Sequence, residues 1–158
     1  MSHYNGKKCV LHLFYIKLFD YRDVLTFKTL EMNIITKPTY SASFAIGMQI
    51  GYSTDYYSKD TLISHLQQFQ QKQITDRKVY LSACISECEI VMSGQVEPHF
   101  KLDFINYPKF PLDEITFKRE IELLTVFLMD TLQQNRIVVV YHNETKMFEK
   151  SEDIDPRI

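Results

Sequence analysis

The segment 84–89 brings together side chains that can bind metals or move protons. Cys84 and Cys88 are four residues apart, with Glu87 and Glu89 beside them. In a strand, residues four apart are separated by about 13 Å, too far for one metal ion or a disulfide. Two glutamates on one strand face, about 6–7 Å apart, have a spacing that suits acid–base chemistry. We predict small buried core cysteines, no metal site, and solvent-facing glutamates on an edge strand.

Three tyrosines and a carboxylate lie in the segment before the first predicted helix. These residues are Tyr52, Asp55, Tyr56 and Tyr57. Loops held by rigid elements often carry binding residues, and backbone N–H groups at a helix start attract anions. Tyrosine offers an aromatic face and a hydroxyl, which small-molecule sites and protein interfaces both use. The segment either lines a pocket or caps the open end of the core.

The clearest strand pattern covers residues 43–52, where apolar side chains alternate with small or polar ones. One face of this strand carries Gly47, Gln49 and Gly51 and therefore has few side chains. A bare strand face lets a neighbouring backbone, a ligand or another subunit come close. We predict that these three residues belong to a self-association interface.

The remaining elements follow from capping and periodicity. An amphipathic helix starts after Ser58 and a second one after Asp113. Residues 79–92 fit a strand or a helix, and we favour a strand that pairs with 99–107 through a bulge near Ser86. Residues 136–141 form a last, well-covered strand. The order strand, helix, strand, strand, helix, strand predicts a two-layer, ferredoxin-like α+β fold, with two helices on one face of an antiparallel sheet.

In this topology the end of the first strand lies beside the starts of the third and fourth strands. His99 and Arg136 are then at the same edge of the sheet as the tyrosine segment. An imidazole, a guanidinium, a carboxylate and aromatic rings would line one pocket. The predicted ligand-binding residues are Tyr52, Asp55, Tyr56, Tyr57, His99 and Arg136.

Composition excludes several classes of function. The four glycines are scattered, so neither the dinucleotide-binding motif nor the P-loop motif can be written. The net charge of −2 gives no electrostatic case for a nucleic-acid or membrane partner. The apolar stretch 9–19 is interrupted by Lys17 and is far shorter than the roughly 20 residues that span a bilayer. Three cysteines, an odd number, are typical of a reducing compartment, so we expect a cytoplasmic protein. We also predict that the protein has no cofactor.

The predicted organisation is an N-terminal arm over residues 1–38, one α+β domain over 39–145 and a polar tail over 146–158. The favoured function is a binding and assembly module that forms homo-oligomers and binds a small molecule or a partner protein. One alternative is a small enzyme with His99 as acid–base group and Arg136 as anion binder. Another is a docking or inhibitory protein that uses the tyrosine segment and the acidic tail.

Overall fold

The protein is described from a computed structural model, which covers residues 33–51 and 53–152. Residues 1–32 of the predicted arm lie outside the described residues. The elements are β1 (Ser41–Gly47), α1 (Lys59–Arg77), β2 (Ala83–Met92), β3 (Gln95–Ile105), α2 (Glu114–Thr131), β4 (Arg136–Tyr141) and β5 (Thr145–Glu149).

The strands form one antiparallel sheet in the order β2-β3-β1-β4-β5. The order is consistent with a ferredoxin-like fold, so the predicted α+β class is confirmed. The ambiguous segment 79–92 contains a strand, which begins at Ala83. None of the helices in the described part of the chain is long and apolar enough to cross a membrane.

Both helices start where the sequence predicts, because each has a side-chain cap. Ser58 Oγ accepts the backbone N–H of Thr61 at 3.1 Å, and Asp113 Oδ1 accepts that of Thr116 at 2.9 Å. Such caps satisfy N–H groups that have no partner inside the helix. Helix α1 ends at Arg77, and the left-handed φ of 58° at its C-cap Lys78 turns the chain toward β2.

The core lies between the helices and one face of the sheet. Alternate strand residues point toward the helices, as the period of two requires. The buried strand residues are Ala42, Phe44, Ile46, Phe100, Leu102, Phe104, Ile137, Val139 and Tyr141. The helices contribute Leu62, Leu66, Phe117, Ile121, Leu124 and Leu128. No described element covers the opposite face, which we call the open face.

Three details of the strands differ from the sequence predictions. Strand β1 ends at Gly47, so Gly51 lies beyond it in a turn. The β2–β3 register runs without a bulge from Ala83 to Met92. Without that bulge the cysteines stay on the open face, and the prediction of buried core cysteines is wrong: Cys84 is exposed and Cys88 is half-buried.

A fifth strand lies in the predicted polar tail. Strand β5 pairs with β4, and Phe148 packs against the core. Its burial alternates, with Lys146 and Phe148 less exposed than their neighbours. A short strand with charged residues at the edge of a sheet resembles a polar tail in sequence, because only one of its two faces is covered. The sheet therefore extends to Glu149.

Candidate functional site

The candidate site lies where β1 ends on the open face. Gly47 pairs with His99 of β3, and the next backbone bond, from Met48 N–H to Pro98 O at 3.0 Å, continues that ladder. A Cβ atom on Gly47 would lie 2.7 Å from Gln134 Oε1 and 3.7 Å from His99 Nε2. The bare position on Gly47 is therefore used by a side chain of the same protein.

Gln134 connects the turn after α2 to the end of β1. Its Oε1 accepts the Gly47 N–H at 3.2 Å, and its Nε2 donates to Gln49 O at 2.9 Å. The backbone pairing between β1 and β4 covers Ala42 to Phe44. Beyond it, the Gln134 side chain provides the hydrogen bonds to the end of β1. Sequence reasoning missed Gln134, because a single glutamine after a helix carries no signal.

His99 presents one ring nitrogen to this site. Its Nδ1 lies 3.0 Å from the carbonyl oxygen of Glu97. A carbonyl oxygen only accepts, so Nδ1 carries the proton in this bond. In a neutral ring, Nε2 then has a lone pair and lies on the Gly47 side. His99 is therefore able to accept a hydrogen bond or a proton from a ligand at the end of β1.

The segment between β1 and α1 forms a small hairpin instead of an open loop. Tyr57 N–H donates to Met48 O at 2.7 Å, and Ile50 N–H donates to Asp55 O at 2.9 Å. Gly51 has a φ of +53°, a value that glycine adopts without strain. The hairpin backbone holds Asp55, Tyr56 and Tyr57 between β1 and α1.

The described tyrosines of this hairpin differ in how much of each ring is exposed. Tyr57 packs against the core, and burial raises the pKa of its hydroxyl. Tyr56 is 55% exposed and stands opposite Gln49 across the hairpin. Asp55 is exposed, and Tyr52 lies outside the described residues. Of the described tyrosines in the predicted pocket, Tyr56 has an accessible ring.

Arg136 lies at the same end of the sheet as His99, but its guanidinium is directed toward β5. Its Nε donates to Glu149 Oε1, and its Nη2 lies 3.4 Å from Ser151 O. The side chain is about one-third exposed. Any anion that Arg136 binds has to compete with the carboxylate of Glu149.

The described residues form one depression on the open face and another beside Gln134. The first has a volume of about 260 Å³ and is lined by residues that include Ser41, Ser43, Ile105 and Val140. The other, of about 330 Å³, lies at the turn after α2 and includes Gln134.

In the part of the chain that the structure describes, no three His, Cys, Asp or Glu side chains are grouped to hold a metal ion.

A second polar cluster lies between the helices. Glu120 is fully buried and accepts from Gln73 Nε2 at 2.8 Å. Arg77 and Arg119 approach its carboxylate at 2.8 Å and 3.1 Å. Gln73 Oε1 is buried and has no hydrogen-bond partner among the described residues. A buried carboxylate needs such partners, because its desolvation is otherwise costly.

A third charged group surrounds Tyr141 at the β4–β5 hairpin. Lys118 Nζ lies 2.8 Å from both Glu114 and Glu144 and 5.6 Å from the centre of the Tyr141 ring. Hydrogen bonds from Lys118 lower the pKa of both carboxyl groups. Burial, followed by the nearby carboxylates, raises the pKa of the Tyr141 hydroxyl.

The fold is shared with a phage SAM lyase. A structure of that lyase in complex with S-methyl-5′-thioadenosine matches with a TM-score of 0.55 and 15% identity, over 78% of this chain and 99% of the lyase chain. The apo lyase matches with a TM-score of 0.54 and 13% identity, over 73% and 91% of the two chains. No protein-family model and no curated protein sequence matches the chain. At these identities the likeness shows a common fold.

Proposed function

We propose that this domain binds a small molecule of the adenine nucleoside class, with a thioether or sulfonium at the 5′ position. S-methyl-5′-thioadenosine and S-adenosylmethionine represent that class. The observation that supports the proposal is the fold shared with 99% of the phage SAM lyase chain, one of whose structures contains S-methyl-5′-thioadenosine.

We assign the ligand to the end of β1, because several ligand-competent groups lie there. The Nε2 atom of His99 accepts a hydrogen bond from a ribose hydroxyl when the ring is neutral. The exposed ring of Tyr56 offers a face on which adenine stacks. The Arg136–Glu149 pair at the same end offers a cation for a carboxylate and a carboxylate for a sulfonium.

Isothermal titration tests this assignment. S-methyl-5′-thioadenosine and S-adenosylmethionine are each titrated into the wild-type protein and into His99→Ala. The matched control is His65→Ala, which removes a half-buried imidazole from α1. We expect binding to the wild type and to the control, and affinity about tenfold weaker for His99→Ala, equal to one lost hydrogen bond. No heat of binding with either nucleoside would refute the proposal.

A catalytic role at the same site is the second candidate, and the orientation of His99 favours it. A neutral imidazole with Nδ1 held by a carbonyl is a general base at Nε2. In the proposed step a water molecule, losing its proton to Nε2, attacks the amino-acid carbon bonded to the sulfonium, and the carbon–sulfur bond breaks to give S-methyl-5′-thioadenosine and homoserine. Chromatography of both products measures that role. Binding without turnover would leave a binding domain; turnover that is lost in His99→Ala would make the protein an enzyme.

We also propose that the domain is cytoplasmic and self-associates through the open face around Val140. The face carries small residues in its centre and exposed apolar side chains at Val138, Val140 and Met147. An apolar sheet face without a covering layer is suited to a second copy. Native mass measurement of Val140→Arg tests this, with Val126→Arg as control, because the two valines are 48% and 47% exposed on opposite sides of the sheet. A mass unchanged by Val140→Arg would exclude this interface.

A further inference from the structure

Strands β2 and β3 extend past the end of β1 as a two-stranded ribbon. The last β1 pair is Gly47 with His99, whereas β2 and β3 remain paired out to Met92 and Gln95. Ser93 and Gly94 both have positive φ, at 37° and 93°, and close the tip. A ribbon without a third strand gains little stability of its own in water.

The tip of this ribbon is apolar on both faces. Val91 and Val96 are directly paired on one face and are 67% and 59% exposed. Ile90 and Met92 lie on the other face and are also exposed. Exposed apolar side chains that project from a domain are typical of an interaction surface.

The ribbon is also acidic. Its residues, 89–98, include Glu89 and Glu97 and no lysine or arginine, and Glu87 lies two residues before it on β2. Glu87 and Glu89 are exposed on the edge strand β2, and neither has an ion-pair partner among the described residues. A partner for the ribbon therefore needs an apolar surface with cations at its border.

Such a surface lies at the other end of the same hairpin. Tyr80 stacks on Phe110 with ring centres 4.6 Å apart, and Tyr107 lies 6.2 Å from Phe110. All three rings are exposed. We call these three residues the aromatic patch. Aromatic side chains in a fixed arrangement provide much contact area at a low entropy cost.

Side-chain hydrogen bonds hold the turn that carries Tyr107 and Phe110, and exposed lysines are close to the aromatic patch in sequence. Asn106 accepts the Leu112 N–H at 2.9 Å and donates to Leu112 O at 3.1 Å, which fixes the intervening turn. Lys78 is exposed two residues before Tyr80 in the sequence, and Lys109 is exposed directly before Phe110. Within residues 33–51 and 53–152, neither lysine has an ion-pair partner.

We propose that the ribbon tip of one copy docks on the aromatic patch of the next copy. The two surfaces lie at opposite ends of β2, whose ten residues span about 33 Å, so they do not meet within one chain. Their apolar centres and opposite charges are complementary. The occupant of each surface is therefore a second copy of this chain.

A contact between two different surfaces is heterologous. It closes into a ring when the rotation between copies allows it, and otherwise forms an open chain. The contact uses neither the β1 end nor the open face around Val140. Its loss is separated from loss of the open-face interface when every chain in the test also carries Val140→Arg, and from loss of the ligand site by nucleoside titration of the same variants.

Mixing two defective variants tests this arrangement by analytical ultracentrifugation. The ribbon variant is Val91→Lys with Met92→Lys, and the patch variant is Lys109→Glu with Phe110→Glu. We expect the wild type to associate with concentration, and each variant alone to weaken association about tenfold or more. An equimolar mixture should form a dimer, because the patch of the ribbon variant and the ribbon of the patch variant are both intact.

Each other outcome overturns the proposal. A wild type that stays monomeric at high concentration, variants that assemble like the wild type, or a mixture that stays monomeric would each contradict it. Thermal unfolding of each variant reports whether it folds.

A charge exchange keeps the test informative even where an apolar variant unfolds. Glu87→Lys with Glu89→Lys and Lys78→Glu with Lys109→Glu should each weaken association about tenfold, and all four changes in one chain should restore it. Failure of the combined chain to regain association would refute the docking of these two surfaces.

Discussion

Two glutamine side chains link distant elements on opposite sides of the sheet, and they differ in what surrounds them. Gln73 is buried between the helices, where its amide donates to the carboxylate of Glu120. Gln134 is half-buried at the end of β1, where its amide bonds the backbone of Gly47 and Gln49. Both join segments far apart in sequence.

The difference lies in how accessible the polar groups are. Around Gln73, two arginines approach the Glu120 carboxylate from outside and leave it no exposed surface. Around Gln134, the His99 ring keeps Nε2 on the open-face side, and the exposed Tyr56 lies nearby in the hairpin. A sealed polar group stabilises the fold, because it is costly to leave unpaired. An accessible one is available to a ligand.

The largest expected effect is at Glu120. Glu120→Ala leaves Arg77 and Arg119 without their shared carboxylate and opens a space between the helices. We expect the free energy of unfolding to fall by about 2–3 kcal/mol, because the buried Gln73 amide loses its acceptor and a cavity opens, while both arginines stay partly solvated. Urea denaturation measures it. Glu122→Ala is the control, since its pair with Lys146 is partly exposed and should contribute much less. Equal losses for both would mean that Glu120 is not a sealed site.

A smaller effect is expected at Gly47. A Cβ atom there would displace the Gln134 amide, so Gly47→Ala should cost about 1–2 kcal/mol through the lost hydrogen bonds. In a Gln134→Ala background the same change should cost about 1 kcal/mol less. A double-mutant cycle by urea denaturation measures this coupling. Additive costs would show that Gln134 does not fill the position, and Gln68→Ala on the exposed side of α1 is the control for losing a glutamine.

Arg136 should contribute less to stability than to binding. Its pair with Glu149 is about one-third exposed, so Arg136→Ala should lower the free energy of unfolding by about 0.5 kcal/mol. Binding of S-adenosylmethionine, which carries a carboxylate, should weaken more than binding of S-methyl-5′-thioadenosine, which does not. Calorimetric titration of the two ligands separates these effects. Equal losses for both ligands would remove Arg136 from carboxylate recognition.

The exposed carboxyl groups near Lys118 should give the smallest change, and it depends on pH. Glu114 and Glu144 have pKa values lowered below the ordinary 4.5, chiefly by hydrogen bonds from Lys118. A carboxyl group with a lowered pKa in the folded state stabilises the fold above its unfolded pKa, and this contribution is lost as the pH falls below it. Thermal unfolding between pH 6 and pH 3 (roughly the carboxyl titration range) measures the slope.

Lys118→Ala should flatten that acid-side slope, because the cation that lowers both pKa values is removed. Lys72→Ala is the control, since Lys72 is exposed on α1. A slope as steep in Lys118→Ala as in the wild type would show that other groups cause the acid sensitivity.

The sequence predicted the elements better than the site. Ser58 and Asp113 carry local capping signals, and the alternation around Phe44 is a local strand signal. The Gln134 bridge has no such signal, because Gln134 is 85 positions from Gln49 and 87 positions from Gly47 in the sequence. The bulge predicted near Ser86 is absent, because Glu87 and Glu89 stay exposed on the helix-facing side of β2 and the strand does not need to exchange its faces.

The sequence by itself determined the order of the first six helices and strands, and with it the α+β class and the end of the sheet at which His99 and Arg136 lie. Periodicity and caps are properties of neighbouring residues, so they can be read without a structure. The tertiary structure decided that Gln134 covers Gly47, that Arg136 turns toward Glu149, and that Glu120 is sealed between the helices. These contacts depend on the distances between packed elements, which no local pattern contains.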